Sequence, residues 1–305
     1  MQSVFDVYQT HGLPVETSSF TSFDGTRIVY DKLGSGALPV VLANGLGGDT
    51  EAWWPLAQTL ERRCQFYCPD HRGMFRSGPA PSDNDYTITH HARDLEALLR
   101  HEGIEQAAVI GWSMGSAVAL ELFRLHPNRP LAMVFLNGAH RVPLGNLFPQ
   151  RGRGRQWLGA AAHQLAPIAE RANRLGARIV DRPGAVPWLN LLGIVDRSID
   201  QGTAASVLRR FVRSNAEIIW HTTLGILNYD GTRLLPQNHV PSLVLTGERD
   251  KLVPLSTARM LAANLHDARF VAIPRATHYA LLEFPDIVSL HIESFLEEQN
   301  LLPNI

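Results

Sequence analysis

Short apolar runs recur along this chain, separated by stretches whose apolar positions return every three or four residues. Residues 39–43, 65–68, 107–111, 131–136, 242–246 and 270–273 are such runs, the pattern of strands buried on both faces. Residues 50–62, 86–101, 114–125, 256–265 and 285–297 read as helices. In the second of these, Ile88, Ala92, Leu95 and Leu99 fall on one helical face. The pattern nearer the N-terminus is different. Residues 15–23 and 26–32 flank Asp24 and Gly25. That pair suits positive φ angles and predicts a hairpin closed by a tight type I′ turn.

Strand and helix alternate from residue 39 to about 139 and again from about 239. Such alternation predicts an α/β fold: a mostly parallel central sheet with helices on both faces. Residues 140–238 differ in character. They hold short helical patterns such as 203–219 and no clear buried strand. They also carry 13 arginines, no lysine and six acidic residues, in a 305-residue chain whose net charge is −1. The reading is a core domain of residues 1–139 and 239–305, with 140–238 inserted as a helical cap or lid. Such a cap would roof a site at the carboxyl ends of the strands, where open α/β sheets bind ligands.

Composition narrows the function classes. Apolar residues make up 45% and charged residues 19%, which is ordinary for a globular protein. The near-zero net charge gives no overall field to attract nucleic acid or a membrane surface. No stretch approaches the roughly 18 apolar residues of a membrane span, so no stable membrane insertion is expected. Residues 1–14 carry no apolar run of the signal-peptide kind, and a cytoplasmic protein is expected. Cys64 and Cys68 sit four apart in a predicted strand, roughly 13 Å from end to end, too far for a disulfide. No second Cys/His pair has zinc-site spacing, so the expectation is buried reduced thiols and no metal.

The chemistry centres on Gly111-Trp112-Ser113-Met114-Gly115. A predicted strand runs into it and a predicted helix follows. Gly-x-Ser-x-Gly gains its meaning in this strand–turn–helix context, where a sharp turn presents the hydroxyl. The flanking glycines let the chain pass close to itself, and the helix start points unpaired N–H groups at the serine. A serine is a weak nucleophile without a base. Downstream, one buried strand leads into a loop ending at Asp250, and the next leads into a loop ending at His278. Both groups therefore fall just past strand carboxyl ends, beside the serine turn. Glu248 is a rival acid earlier in the first loop. The glycine-rich loop 42–48 follows the first buried strand and can aim a main-chain N–H at a substrate oxygen. Leu46 and Met114 are the two assigned oxyanion donors. The loop has neither the Lys-Ser/Thr ending of a P-loop nor dinucleotide-fingerprint spacing.

These motifs resemble the α/β-hydrolase superfamily over most of residues 22–139 and 240–297. Asn44-Gly45-Leu46-Gly47-Gly48 looks like the family's His-Gly-x oxyanion loop, with Asn44 in the histidine's place. Residues 70–77 resemble its Asp-x-Arg-Gly-x-Gly-x-Ser loop, with Phe75 in place of the second glycine. Gly111 to Ser116 match the nucleophile turn, Gly247 to Asp250 the acid loop, and Ala276 to His278 the histidine loop. The resemblance implies a serine hydrolase of the esterase/lipase kind: Ser113 nucleophile, His278 base, Asp250 orienting the imidazole. It implies two-step acyl transfer with no cofactor. Aspartate-nucleophile dehalogenases and epoxide hydrolases are disfavoured, because Ser113 occupies that position.

Trp112 and Met114 flank the nucleophile, and Trp53 and Trp54 follow the oxyanion loop; Trp157, Trp188 and Trp220 lie in the insertion. These tryptophans fit either the core or an apolar acyl pocket, and Asn44, Trp112, Trp53 and Trp54 are the pocket candidates. The expected partner is a small-molecule ester, uncharged and fairly hydrophobic. A lactonase, a thioesterase or a cofactor-free haloperoxidase-like enzyme would use the same triad, and a non-catalytic receptor on the same fold is the reading from another class. The run Arg151-Gly152-Arg153-Gly154-Arg155 invites an anionic substrate; the plainer reading has the cap arginines pairing with the acidic core domain.

Overall fold

In the computed structural model, the residues described are 13–141, 195–199 and 201–302. The strands are β1 Val15–Thr21, β2 Arg27–Leu33, β3 Leu38–Ala43, β4 Cys64–Pro69, β5 Ala107–Trp112, β6 Pro130–Leu136, β7 Ser242–Gly247 and β8 Ala268–Ile273. They form one sheet in the order β1-β2-β4-β3-β5-β6-β7-β8. β1 and β2 join antiparallel, and β2 joins β4 antiparallel; every other pairing is parallel. The helices used below are α1 Trp54–Leu60, α2 Ile88–His101, α3 Met114–Leu125, α4 Gln201–Arg213, α5 Ala216–Asn228, α6 Leu255–Asn264, α7 Ala280–Glu283 and α8 Pro285–Glu298. Among the described residues, no helix is long and apolar enough to cross a membrane.

Alternation along the buried strands explains the two cores. Val40 and Leu42 of β3, with Ala108 and Ile110 of β5, pack on one face with α1 and α8 residues such as Leu56 and Phe295. Val41 and Val109 point the other way, toward α2 and α3 residues such as Leu95 and Val118. Each strand thus serves two hydrophobic layers, which is why it reads as a continuous apolar run. β4 lies on one side of β3 and β5 on the other. The crevice at that switch point receives the loops after β3 and β5, which hold the glycine-rich segment and Ser113.

Three local expectations are corrected. The first hairpin is a three-residue connection rather than a type I′ turn. Ser22 donates to the Thr26 carbonyl at 2.8 Å and accepts from the Gly25 N–H at 3.1 Å, and Gly25 has φ +90° while Asp24 is not left-handed. This is the turn-plus-left-handed-glycine connection, in which a single positive φ suffices. The helix predicted over 50–62 begins as a 3-10 turn, Thr50–Trp53, with Pro55 then opening α1. The helical pattern at 203–219 is two helices. Asn215 ends the first by capping the second: its side-chain oxygen accepts from the Glu217 N–H at 2.9 Å and the Ile218 N–H at 3.5 Å.

Cys64 and Cys68 are both free and buried, on the face of β4 that packs against α1. Burial pushes the Cys64 thiol up to about 12 and the Cys68 thiol higher still.

Candidate active site

Three strand ends bring the chemistry together. Ala43 of β3 pairs with Gly111 of β5, and Trp112 of β5 with Leu136 of β6. Ser113, the next residue, sits at φ 55°, ψ −117° and caps α3. A serine in that region costs on the order of 1–3 kcal/mol. The flanking glycines allow it. A Cβ on Gly115 would lie 1.9 Å from the Ala43 carbonyl oxygen, and one on Gly111 would lie 2.3 Å from the Gly115 carbonyl oxygen. Both obstacles are backbone, so neither position tolerates a side chain.

The Ser113 Oγ lies 2.8 Å from His278 Nε2, and His278 Nδ1 lies 2.8 Å from Asp250 Oδ2. His278 and Asp250 are both buried. Asp250 is fully engaged: Oδ1 accepts from the Leu252 and Val253 N–H groups, each at 2.8 Å, and Oδ2 accepts from Asn137 Nδ2 at 2.9 Å. These donors orient the carboxylate toward Nδ1, so the imidazole presents Nε2 to the serine. Glu248 is exposed and sits elsewhere; its amide is tied to the Ile273 carbonyl.

Asn137 has no counterpart in the sequence reading. It takes φ 47° just past β6. Its amide bridges Asp250 and the Thr277 carbonyl, the latter at 3.0 Å, and so ties the acid loop to the histidine loop. The signal was present, a polar residue at the end of a buried strand next to the serine strand. Trp112 adds another tie, its indole N–H donating to the His278 carbonyl at 3.2 Å.

A cavity of about 470 Å³ opens over Ser113 and His278. Leu46 and Met114 line it, and among the described residues no acceptor takes either amide. The rest of the wall is mainly apolar: Trp112, Val207, Phe211, Ile226, Leu252 and Leu282. Val207 and Phe211 lie four apart on α4 and Ile226 lies on α5, so two helices from between β6 and β7 line the cavity over the serine. Arg210 of α4 pairs with Asp49 and Glu51 beside the glycine-rich loop. Arg151 to Arg155, Trp157 and Trp188 lie outside the described residues.

Of the four pocket candidates, Trp112 lines the cavity and Asn44, Trp53 and Trp54 do not. The correction has a physical cause. Asn44 is wholly buried and must satisfy its amide inside the protein. Its Nδ2 donates to the Pro69 carbonyl at 2.9 Å, and its Oδ1 accepts from Trp53 Nε1 at 2.6 Å. That bond turns Trp53 into the core under α1, where Trp54 also packs. Asn44 therefore holds the glycine-rich loop from beneath.

His71 completes that support, its Nε2 lying 2.9 Å from the Asn44 carbonyl. It packs edge-on against His91 with ring centroids 4.7 Å apart. Burial lowers the His71 imidazole to about 4, and burial, with His71 and Arg72 close by, lowers His91 well below its ordinary range. Both rings are therefore neutral in the folded state. Unfolded imidazoles take up protons near pH 6.5, so stability is full above about 6.5 and falls as acid is added, down through about 4 for His71. Among the described residues, neither His91 nitrogen has a hydrogen-bond partner. His91→Leu is expected to reduce the loss of melting temperature between pH 7.5 and 5 by several degrees. An unchanged pH slope would remove His91 as a cause.

Among the described residues, Asp83, Glu217 and His221 place ligand-type atoms within 4.8 Å of one another. None of the three lines the cavity.

Comparison with known proteins bears on the fold and the family. The family model described as the alpha/beta hydrolase fold matches residues 39–161. A protein of Azorhizobium caulinodans, provisionally named carbamate hydrolase RutD, is 25% identical over 90% of this chain and 97% of its own length. A protein of the same provisional name from Escherichia coli O157:H7 is 38% identical over 152 residues, 45% of this chain and 56% of that protein, so the match spans about half of that relative. Among solved structures, an esterase of Thermogutta terrifontis superposes with a TM-score of 0.74 at 22% identity, over 93% of this chain and 99% of that one. At that identity the likeness shows the fold.

Proposed function

The chain is a hydrolase of the α/β-hydrolase superfamily, and from that premise we propose that it cleaves an uncharged, hydrophobic carboxylic ester through an acyl-serine intermediate. The observation that carries the reading is the relay Ser113–His278–Asp250, with 2.8 Å at each link, at the floor of an apolar cavity. His278 Nε2 takes the hydroxyl proton as Ser113 Oγ attacks the carbonyl carbon. The tetrahedral oxyanion rests on the Leu46 and Met114 amides. As the carbon–oxygen bond to the leaving group breaks, His278 returns the proton to the alkoxide and the alcohol departs. Water, deprotonated by His278, then attacks the acyl carbon; the bond from that carbon to Ser113 Oγ breaks, His278 returns the proton to Oγ, and the acid leaves. Asp250 fixes the imidazole tautomer and stabilises its charged form. The cavity size suits a medium-sized acyl or alcohol group, and its wall offers little to a small polar substrate.

A carbamate is the second reading, favoured by the names of the relatives. It would pass through the same steps with a carbamoyl-serine. The test is intact-mass spectrometry after treatment with an alkyl fluorophosphonate, beside turnover of p-nitrophenyl esters and an N-alkyl carbamate. One adduct per chain, absent from Ser113→Ala, is expected, with butyrate or longer esters turned over faster than the carbamate. Labelling that persists in the variant would show another nucleophile. Faster carbamate turnover would move the assignment to the second reading.

A further inference from the structure

Glu283 is a buried carboxylate that the steps above leave unused. It closes α7, the short helix that begins two residues after His278. Its oxygens take three hydrogen bonds. Oε2 accepts from the Thr277 N–H at 2.7 Å; Oε1 accepts from Thr277 Oγ1 at 2.6 Å and from the Asp196 N–H at 2.6 Å. Thr277 precedes His278, and its carbonyl is held in turn by Asn137. Asp196 comes from a distant part of the chain. It lies between Val195 and Ile199, two apolar residues that line the cavity with His278. A second link runs beside the first, Arg275 Nη2 to Asp196 Oδ1 at 3.3 Å. One buried carboxylate thus grips the backbone next to the candidate base and the backbone of a cavity wall.

We propose that Glu283 is a positioning residue that couples docking of the wall at 195–199 to the placement of His278, so that the base is in line with Ser113 only while the wall is docked. The inference rests on the reading of His278 as base. All three partners are donors, so the Glu283 oxygens serve here as acceptors. Undocking the wall removes the Asp196 N–H from a buried oxygen. The carboxylate then turns toward water or other donors, and its grip on Thr277 loosens. The coupling is reciprocal: whatever fixes His278 favours the docked wall.

Glu283→Gln keeps the shape and replaces one acceptor by an NH2 that faces donors. In the full chain it is expected to slow single-turnover acylation of Ser113 by p-nitrophenyl butyrate about tenfold or more, with KM within about threefold, a coupling of ordinary size. Trypsin cleavage after Arg197, an exposed residue of the wall, is expected to quicken by a similar factor. Thr277→Val removes one donor and keeps the Thr277 N–H. It should move both rates the same way by less, and it decides the question if Glu283→Gln does not fold. Slower acylation with unchanged cleavage, or faster cleavage with unchanged acylation, overturns the coupling. A wild-type chain that neither turns over esters nor takes the phosphonate would defeat the ester reading instead. The coupling would then be read from cleavage after Arg197 together with the His278 ring signal in NMR.

Discussion

Ser113→Ala should lower kcat on a p-nitrophenyl ester by on the order of 10⁴–10⁶, leave KM within a few-fold, and leave the melting temperature equal or slightly changed. The size follows from the relay acting as a unit. Without the hydroxyl, His278 can only activate water, and the main-chain donors at Leu46 and Met114 supply the residual rate. His278→Ala should cost about as much, and the double variant little more, because each change disables the same step. Asp250→Asn should cost on the order of 10³–10⁴, since an amide at that position no longer enforces the imidazole tautomer. Stability is separable from these effects. Ser113 holds φ 55°, a strain set by its neighbours' packing, and alanine inherits it. Among the described residues, the Ser113 Oγ makes one hydrogen bond, to a histidine that remains held by Asp250. A variant retaining more than a tenth of wild-type kcat, after contaminating esterases are excluded by mass spectrometry, would show that this serine is not the nucleophile.

The parts of the site legible in sequence share one physical property: each sits at the end of a strand. β5, β7 and β8 read as short apolar runs, and Ser113, Asp250 and His278 follow them in loops too short to wander. The partners that escaped notice act across sequence gaps that leave no periodic trace. Asn137 reaches Asp250 over 113 positions, and Asp196 reaches Glu283 over 87. Asn44 and Trp53 show the opposite failure. Asn44 lies in the glycine-rich loop and Trp53 just after it, but a buried amide seeks a partner, and their mutual bond points both side chains away from the cavity. At residues 203–219 amphipathicity continued across Asn215, while the cap that breaks the helix is a local hydrogen bond invisible to a periodicity argument. Phe75 is instructive as well. It stands where the resembling loop has glycine, and the backbone still takes φ 50° there, so the ion pairs Arg76 makes with Asp70 and Asp31 hold the loop against the strain.

The same loop carries the second large effect. Arg72 is completely buried, and its guanidinium is shared between two carboxylates: Nε and Nη2 donate to Asp94 at 2.8 and 2.7 Å, and Nη1 donates to Asp24 at 2.8 Å. Nη1 also donates to the Asp85 carbonyl at 3.0 Å, and Asp94 accepts further from Ser22 Oγ at 2.6 Å. Burial works against ionisation of Asp24, and the hydrogen bonds from Arg72 and Thr26, with the Arg72 charge, together more than offset it, leaving that carboxyl below its usual range. Removing the cation takes away part of that offset. Arg72→Met fills much of the volume yet strands Asp94, which is itself buried, without its counter-charge, and such a loss costs about 3–5 kcal/mol. Urea unfolding should show the midpoint falling with an unchanged slope. The double variant Arg72→Met/Asp94→Leu should recover part of the loss, because no lone charge is left inside. Activity should follow stability closely: His71, which props the Asn44 carbonyl in the glycine-rich loop, is the adjacent residue. A single variant within about 1 kcal/mol of wild type would mean that water reaches Asp94 and that this buried cluster is not what fixes the loop.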